Sequence, residues 1–166
     1  MIATTEQHII VVTGSRNHRD HNLIGTELNL ATEQTTATEI VIRHGDCPAT
    51  PGGPPGADQI TAEWCEDQAE WFERAGRLLI VEPMPADWDN CGPDCPPGPH
   101  RRHKKPGDVH HPGELDTYCP KAGPRRNAQL LIGAHRCIGF PLGASYGTHN
   151  CMRLARAAGI PVRRVR

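Results

Sequence analysis

The chain has 166 residues, 37% of them apolar and 4% aromatic, with a formal net charge of −1. That is one domain's worth, with a core built mainly from Ile, Val, Leu and Ala, and its balanced charge sets up no electrostatic demand for a nucleic-acid or membrane partner. No apolar run approaches the ~20 residues a membrane span needs, and the N-terminus lacks the basic-then-apolar layout of a secretory leader, so a cytoplasmic protein with reduced thiols is expected.

Residues 8–13 (HIIVVT) form an apolar run ending at Gly14, the pattern of an inner parallel strand. Asp20 is placed to cap a helix reaching about residue 31, with Leu23, Ile24, Leu28, Leu30 and Ala31 on its inner side. Residues 39–43 read as a second strand, followed by His44-Gly45-Asp46 and an irregular loop, PATPGGPPG. A helix from Ala57 to about residue 75 has Ile60, Trp64, Trp71 and Ala75 as its inner stripe and Gly76 as its stop. Residues 77–82 are a third strand. From residue 87 to 123 the composition changes: half of the chain's 16 prolines fall between Pro93 and Pro124, so neither helix nor strand of ordinary length fits, and a loop this long needs its own staple.

The regular pattern then resumes. Ala128, Leu131, Ile132 and His135 fall on one helical stripe, residues 137–140 make a buried strand that Pro141 stops, and a helix runs from Thr148 to about residue 158 with Cys151, Leu154, Ala155 and Ala158 at helical spacing. Residues 160–165 are the last strand. This order predicts an α/β fold: a Rossmann-like parallel sheet of about five strands flanked by helices, with a Pro/Cys/His-rich insert at residues 89–121.

Ligands of such sheets bind beyond the carboxyl ends of the strands, near the reversal of strand order. The loops Thr13-Gly14-Ser15-Arg16, His44-Gly45-Asp46, Gly56-Ala57-Asp58 and Ser145-Tyr146-Gly147-Thr148 all reach that edge, joined by Arg125, Arg126 and Asn127 in the first turn of a helix. Glycines allow close backbone approach, hydroxyls donate hydrogen bonds, and arginines fork onto phosphate. Two arginines at a helix N-terminus oppose its dipole, which predicts an anion there. Gly14, Ser15, Arg16, Arg126, Ser145, Gly147 and Thr148 are the expected phosphate contacts. His44, Asp46, Asp58 and Trp88 are expected to address ribose or base, with Gly45, Gly56 and Asn127 beside them. Each loop alone is an ordinary turn; their common register is what points to a ligand.

In the insert, Cys91-x3-Cys95 and Cys119, with His111 or alternatively His110, supply the donor set of a tetrahedral structural zinc ion. His100 and His103 are further candidates for the imidazole. Metal binding would order a loop with few apolar residues. Cys47, Cys65, Cys137 and Cys151 lie in strands, helices or a turn and read as packing residues, Cys47 alone lying near the expected pocket. The basic run at residues 101–105 (Arg101, Arg102, Lys104, Lys105) reads as a solvated turn and is the one route to a nucleic acid.

The series VVTGSR, IRHGDC, PPGADQITAEW, PADW, AGPRRNAQL and FPLGASYGTHNCMRLARAAGIPV resembles the SLOG superfamily, and more narrowly its YspA-like branch (DUF2493) of bacteria and their phages. The resemblance covers nearly all of the chain outside the insert. It implies a Rossmann-like sheet and a nucleotide or nucleotide-derived ligand, which such proteins are proposed to sense or process. The related LOG phosphoribohydrolases cleave an N-glycosidic bond, using an arginine-bearing helix and a PGGxGTxxE loop. Arg126-Asn127-Ala128 and the stretch from Pro141 to Thr148 occupy those places, which would make Arg126 catalytic in an enzyme of that kind. His149, Asn150 and Cys151 stand where an acidic residue is expected, so cleavage would need Asp46, Asp58 or Asp87 as its carboxylate. LOG proteins are commonly dimers, which leaves a homodimer open here. A zinc-dependent nucleic-acid or protein-interaction module is the third reading.

Overall fold

The computed structural model describes residues 6–166. In chain order its elements are β1 (Gln7–Gly14), α1 (His21–Glu33), β2 (Glu39–His44), α2 (Ala57–Arg74), β3 (Leu78–Pro83), β4 (Arg102–His103), β5 (Thr117–Tyr118), α3 (Ala122–Leu130), β6 (Arg136–Phe140), α4 (Tyr146–Ala157) and β7 (Val162–Arg164). Five strands form one sheet in the order β3-β2-β1-β6-β7, every neighbouring pair parallel. β4 and β5 form a separate antiparallel pair inside the insert.

This is the expected Rossmann-like α/β arrangement, and β1 shows why it forms. Ile10, Val11 and Val12 are wholly buried because helices cover both faces of the central strand. Side chains alternate along a strand. Ile10 and Val12 therefore join the cluster with Ile24 and Leu28 of α1 and Ile60 and Trp64 of α2. Val11 points the other way, to Leu130 and Leu131 at the end of α3 and Cys151, Met152 and Ala155 of α4. Asp20 caps α1 as expected, its carboxylate accepting from the Leu23 N–H at 2.9 Å.

Several expected faces are rotated. On α2, Trp71 is 60% exposed and Phe72 takes the inner position, 2% exposed and edge-on to Trp64. α3 ends before the predicted stripe is complete. Its buried residues are Ala122, Gly123, Asn127 and Leu130, while Ala128 is exposed and Ile132 is 68% exposed. Arg43 of β2 fixes that end, donating to the carbonyls of Leu130 and Ile132. Met152 rather than Leu154 or Ala158 completes the inner face of α4. Among the described residues no helix is long and apolar enough to cross a membrane.

One ion pair ties the first helix to the last strand. Arg163 of β7 forks onto Glu27 of α1, through Nε at 2.9 Å and Nη2 at 3.0 Å. These bonds hold the Glu27 carboxyl below its ordinary value of 4.5, against the opposing effect of burial. A carboxylate depressed in the folded state stabilises the fold above its unfolded pKa and loses that contribution as pH falls through the folded value. Glu27→Gln is therefore expected to be less stable than wild type at neutral pH, with the gap closing as pH falls below about 4.5; urea unfolding across pH measures it.

Candidate functional site

The sheet order reverses between β1 and β6, so the loops leaving these strands diverge and open a crevice at the carboxyl edge. A cleft of about 690 Å³ lies there. Gly14, Ser15 and Arg16 form one side of it, and Ser145, Gly147 and Thr148, opening α4, form another. Arg126 and Asn127 of α3 line its floor with Gly45, Cys47 and Asp58. Trp88, just ahead of the insert, closes the remaining side with His110 and His111 of the insert. The expected residues His44, Asp46 and Gly56 do not line it.

Each of those three has a structural reason to be elsewhere. His44 is buried, its Nδ1 accepts from the Asp46 N–H at 3.0 Å, and burial, opposed by Asp58 and Asp46, pulls its pKa down so that the ring is neutral at pH 7. Asp46 is an exposed residue at the turn, with φ +49. Gly56 starts α2 at φ +84, and a Cβ there would lie 2.9 Å from the Arg16 carbonyl oxygen. Its N–H donates to His18 O at 2.9 Å. Gly14 does border the cleft, but what excludes a side chain there is helix packing: a Cβ would sit 2.4 Å from Ala57 Cβ.

The arginines divide their work. Arg126 donates through Nη1 to the carbonyls of Gly45 and Met84 and through Nε to Asn127 Oδ1, pinning α3 across the ends of β2 and β3. Its Nη2 faces Cys47 Sγ at 3.9 Å. Asn127 in turn donates to Gly147 O at 3.1 Å and Asn150 Oδ1 at 3.0 Å, fixing the start of α4. Arg125 does not line the cleft and donates through Nη2 and Nε to Asp94 Oδ1 at 2.8 and 3.1 Å. The anion that the charge at this helix start demanded is thus, for Arg125, a carboxylate of the insert. Arg16 is exposed on the rim. Ser145 adopts the left-handed conformation, φ +38, and its hydroxyl donates to Thr148 Oγ1 at 3.0 Å, so no side chain caps α4. The positive end of this helix dipole therefore opens on the cleft.

Among the described residues Asp58 is the one carboxylate lining the cleft, and its Oδ2 accepts from the Cys47 N–H at 3.1 Å. Burial first, then the Asp58 charge, pushes the Cys47 thiol up to about 11, so it is protonated and a poor nucleophile at neutral pH.

Beside the cleft, Cys91, Cys95, His100 and Cys119 bring their ligand atoms within 4.8 Å of one another. Cys95 Sγ lies 3.5 Å from Cys119 Sγ, and His100 Nε2 lies 3.4 Å from Cys91 Sγ and 3.5 Å from Cys119 Sγ. Tetrahedral ligands at ~2.3 Å from one ion would be about 3.8 Å apart, so the group could hold a metal ion after small adjustments. Burial raises the Cys119 thiol, but bonds from His100, the Lys121 N–H, Cys95 and Arg125 outweigh it and set it at about 6, close to the thiolate a metal needs. The imidazole in this group is that of His100; His111 and His110, expected in this role, lie outside it. His111 is held by Asp108 (2.7 Å) and stacks on Tyr118 with ring centroids 3.7 Å apart. His110 sits on the cleft wall, with Nε2 3.4 Å from Thr50 Oγ1. Arg101 is also turned inward, donating to Asp89 O and Thr117, which removes it from the basic run.

Arg126→Ala would strand the Gly45 and Met84 carbonyls at a half-buried edge. We expect it to lower stability by about 1–3 kcal/mol, read from urea unfolding.

No family profile matches the chain, and no solved structure matches it. The chain is similar to the Gene 61 protein of Mycobacterium phage D29, with 29% identity over 154 residues that span 92% of each chain.

Proposed function

We propose that the chain binds a nucleotide or nucleotide-derived small molecule in the cleft, as a sensing or sequestering protein, and that Cys91, Cys95, His100 and Cys119 hold a structural zinc ion. One observation carries the ligand reading: Arg16, Arg126 and the uncapped start of α4 all border a single cleft. Cationic side chains and a helix N-terminus around one space favour a phosphate-bearing ligand. The volume of about 690 Å³ suits a nucleotide-sized molecule, and the resemblance to SLOG proteins supports the same class. Binding is preferred to LOG-like cleavage because the cleft's one carboxylate, Asp58, already accepts a backbone hydrogen bond and has no acidic partner there. It is preferred to a nucleic-acid module because Arg101 is engaged within the insert. Zinc is favoured by the donors themselves, three thiols and one imidazole, a set typical of structural zinc and unsuited to Mg or Ca.

Calorimetric titration with a panel of nucleoside mono- and diphosphates tests the ligand. Wild type should bind at least one of them, and Arg16→Ala, at an exposed rim position, should weaken binding tenfold or more while changing stability by less than about 0.5 kcal/mol. Silence across the panel would defeat the reading.

Metal analysis of the purified protein should give a zinc-to-chain ratio near unity. Cys91→Ser and His100→Ala should lower it, whereas His111→Ala should leave it unchanged. Loss of zinc from His111→Ala but not from His100→Ala would return the ligand role to His111.

A further inference from the structure

The insert has no apolar core. From residue 80 to residue 121 the single buried residue is Cys119, one of the four clustered ligands. Beyond it the segment is shaped by the three rings of Trp88, His111 and Tyr118 and by polar contacts, many of them short or exposed. β4 and β5 pair over two residues each. The Asp89 carboxylate accepts from the N–H groups of Glu114 and Leu115, and Arg125 grips Asp94. Such bonds stabilise little in water. A segment of this length cannot offset its ordering entropy without a core or a substitute for one.

Yet this segment supplies one whole side of the cleft. The Trp88 carbonyl accepts from the Cys119 N–H at 2.8 Å. The His111 ring lies on Tyr118, the residue before Cys119, and Trp88 stands edge-on to both rings. The wall is thus fastened to the backbone of a cluster ligand. Next to it, His110 lines the cleft, and its Nε2, 3.4 Å from Thr50 Oγ1, lies at an exposed position that a ligand atom can reach.

We infer that metal occupancy of the Cys91–Cys95–His100–Cys119 cluster switches the base-recognising half of the cleft on and off. With metal bound, Trp88 and His111 face the planar heterocycle of the ligand and His110 makes its polar contact. Without metal that half is lost, while the anion half, built on β1, β6 and α4, persists. The inference rests on the nucleotide reading and adds its regulation.

The test compares full-length protein loaded with zinc and the same protein stripped with excess EDTA, each titrated with the best nucleoside phosphate of the panel and with inorganic pyrophosphate. Stripping should weaken the nucleoside phosphate at least tenfold and leave pyrophosphate within twofold. Hydrogen exchange should rise across residues 87–121 and stay unchanged in β1 and β6. Cys91→Ser, at an exposed ligand, should copy the stripped state. His110→Ala should weaken the nucleoside phosphate alone, with zinc retained. Equal nucleoside phosphate affinity with and without zinc, or an insert equally protected in both, would overturn the inference and leave the nucleotide reading standing. Zinc-loaded protein that binds no nucleotide would defeat that reading and, with it, this inference.

Discussion

The reversal of strand order between β1 and β6 is the constraint from which the site follows. A parallel strand can be reached only by a crossover, and right-handed crossovers put α1 and α2 on one face. Once the chain has laid down β3 at the edge, it must return past β1 to place β6 on the other side. α3 and α4 then cover the opposite face. The loops after β1 and β6 must part, because they lead to helices on different sides. The gap is a product of topology, before any side chain is considered. What fills it is chosen by the residues at its rim.

Those residues divide their positive charge between architecture and the open cleft. Arg126 is held by carbonyls at two strand ends, so its guanidinium is oriented without a neutralising carboxylate. Its charge remains available to a ligand at little reorganisation cost, which is the condition for strong electrostatic recognition. Arg125, one residue earlier, is paired with Asp94 and touches Cys95 Sγ at 3.3 Å. It joins the sheet domain to the thiol cluster. Neighbouring arginines on one helical turn thus serve two structures because helical geometry splays adjacent side chains by about 100°.

Much of this could be read from residue pattern. The inner strands, the Asp20 cap and the convergence of Gly14, Arg16, Arg126 and Thr148 follow from periodicity and from the α/β rule for ligand position. Other features were hidden for identifiable reasons. Trp71 and Phe72 are adjacent aromatics on one helix, and a rotation of one residue decides which is buried. Gly14 looks like a phosphate-loop glycine, yet the exclusion of a Cβ comes from Ala57, which only the packed helix reveals. The imidazole that joins the three thiols could not be chosen from composition, since the insert has no period to place its histidines. The usable signal was local spacing: His100 follows Cys95 within one compact turn segment, whereas His111 follows Asp108, which captures its ring. Asp94 as the partner of Arg125 is a contact across the insert that no local rule supplies.

The position of β1 also sets a timetable for folding. It precedes the other strands of its sheet, but it is the middle of the finished sheet, and Val11 finds its partner Cys137 only 126 residues later (137 − 11). During synthesis β2 and β3 can assemble on one side of β1 while its other edge, flanked by the wholly apolar Ile10 to Val12, waits unpaired. An open apolar edge of this kind is where nascent chains associate with one another. The stretch between β3 and α3 prolongs that interval by the time needed to make it, so the open edge of β1 waits longest while the cysteine-bearing segment is translated.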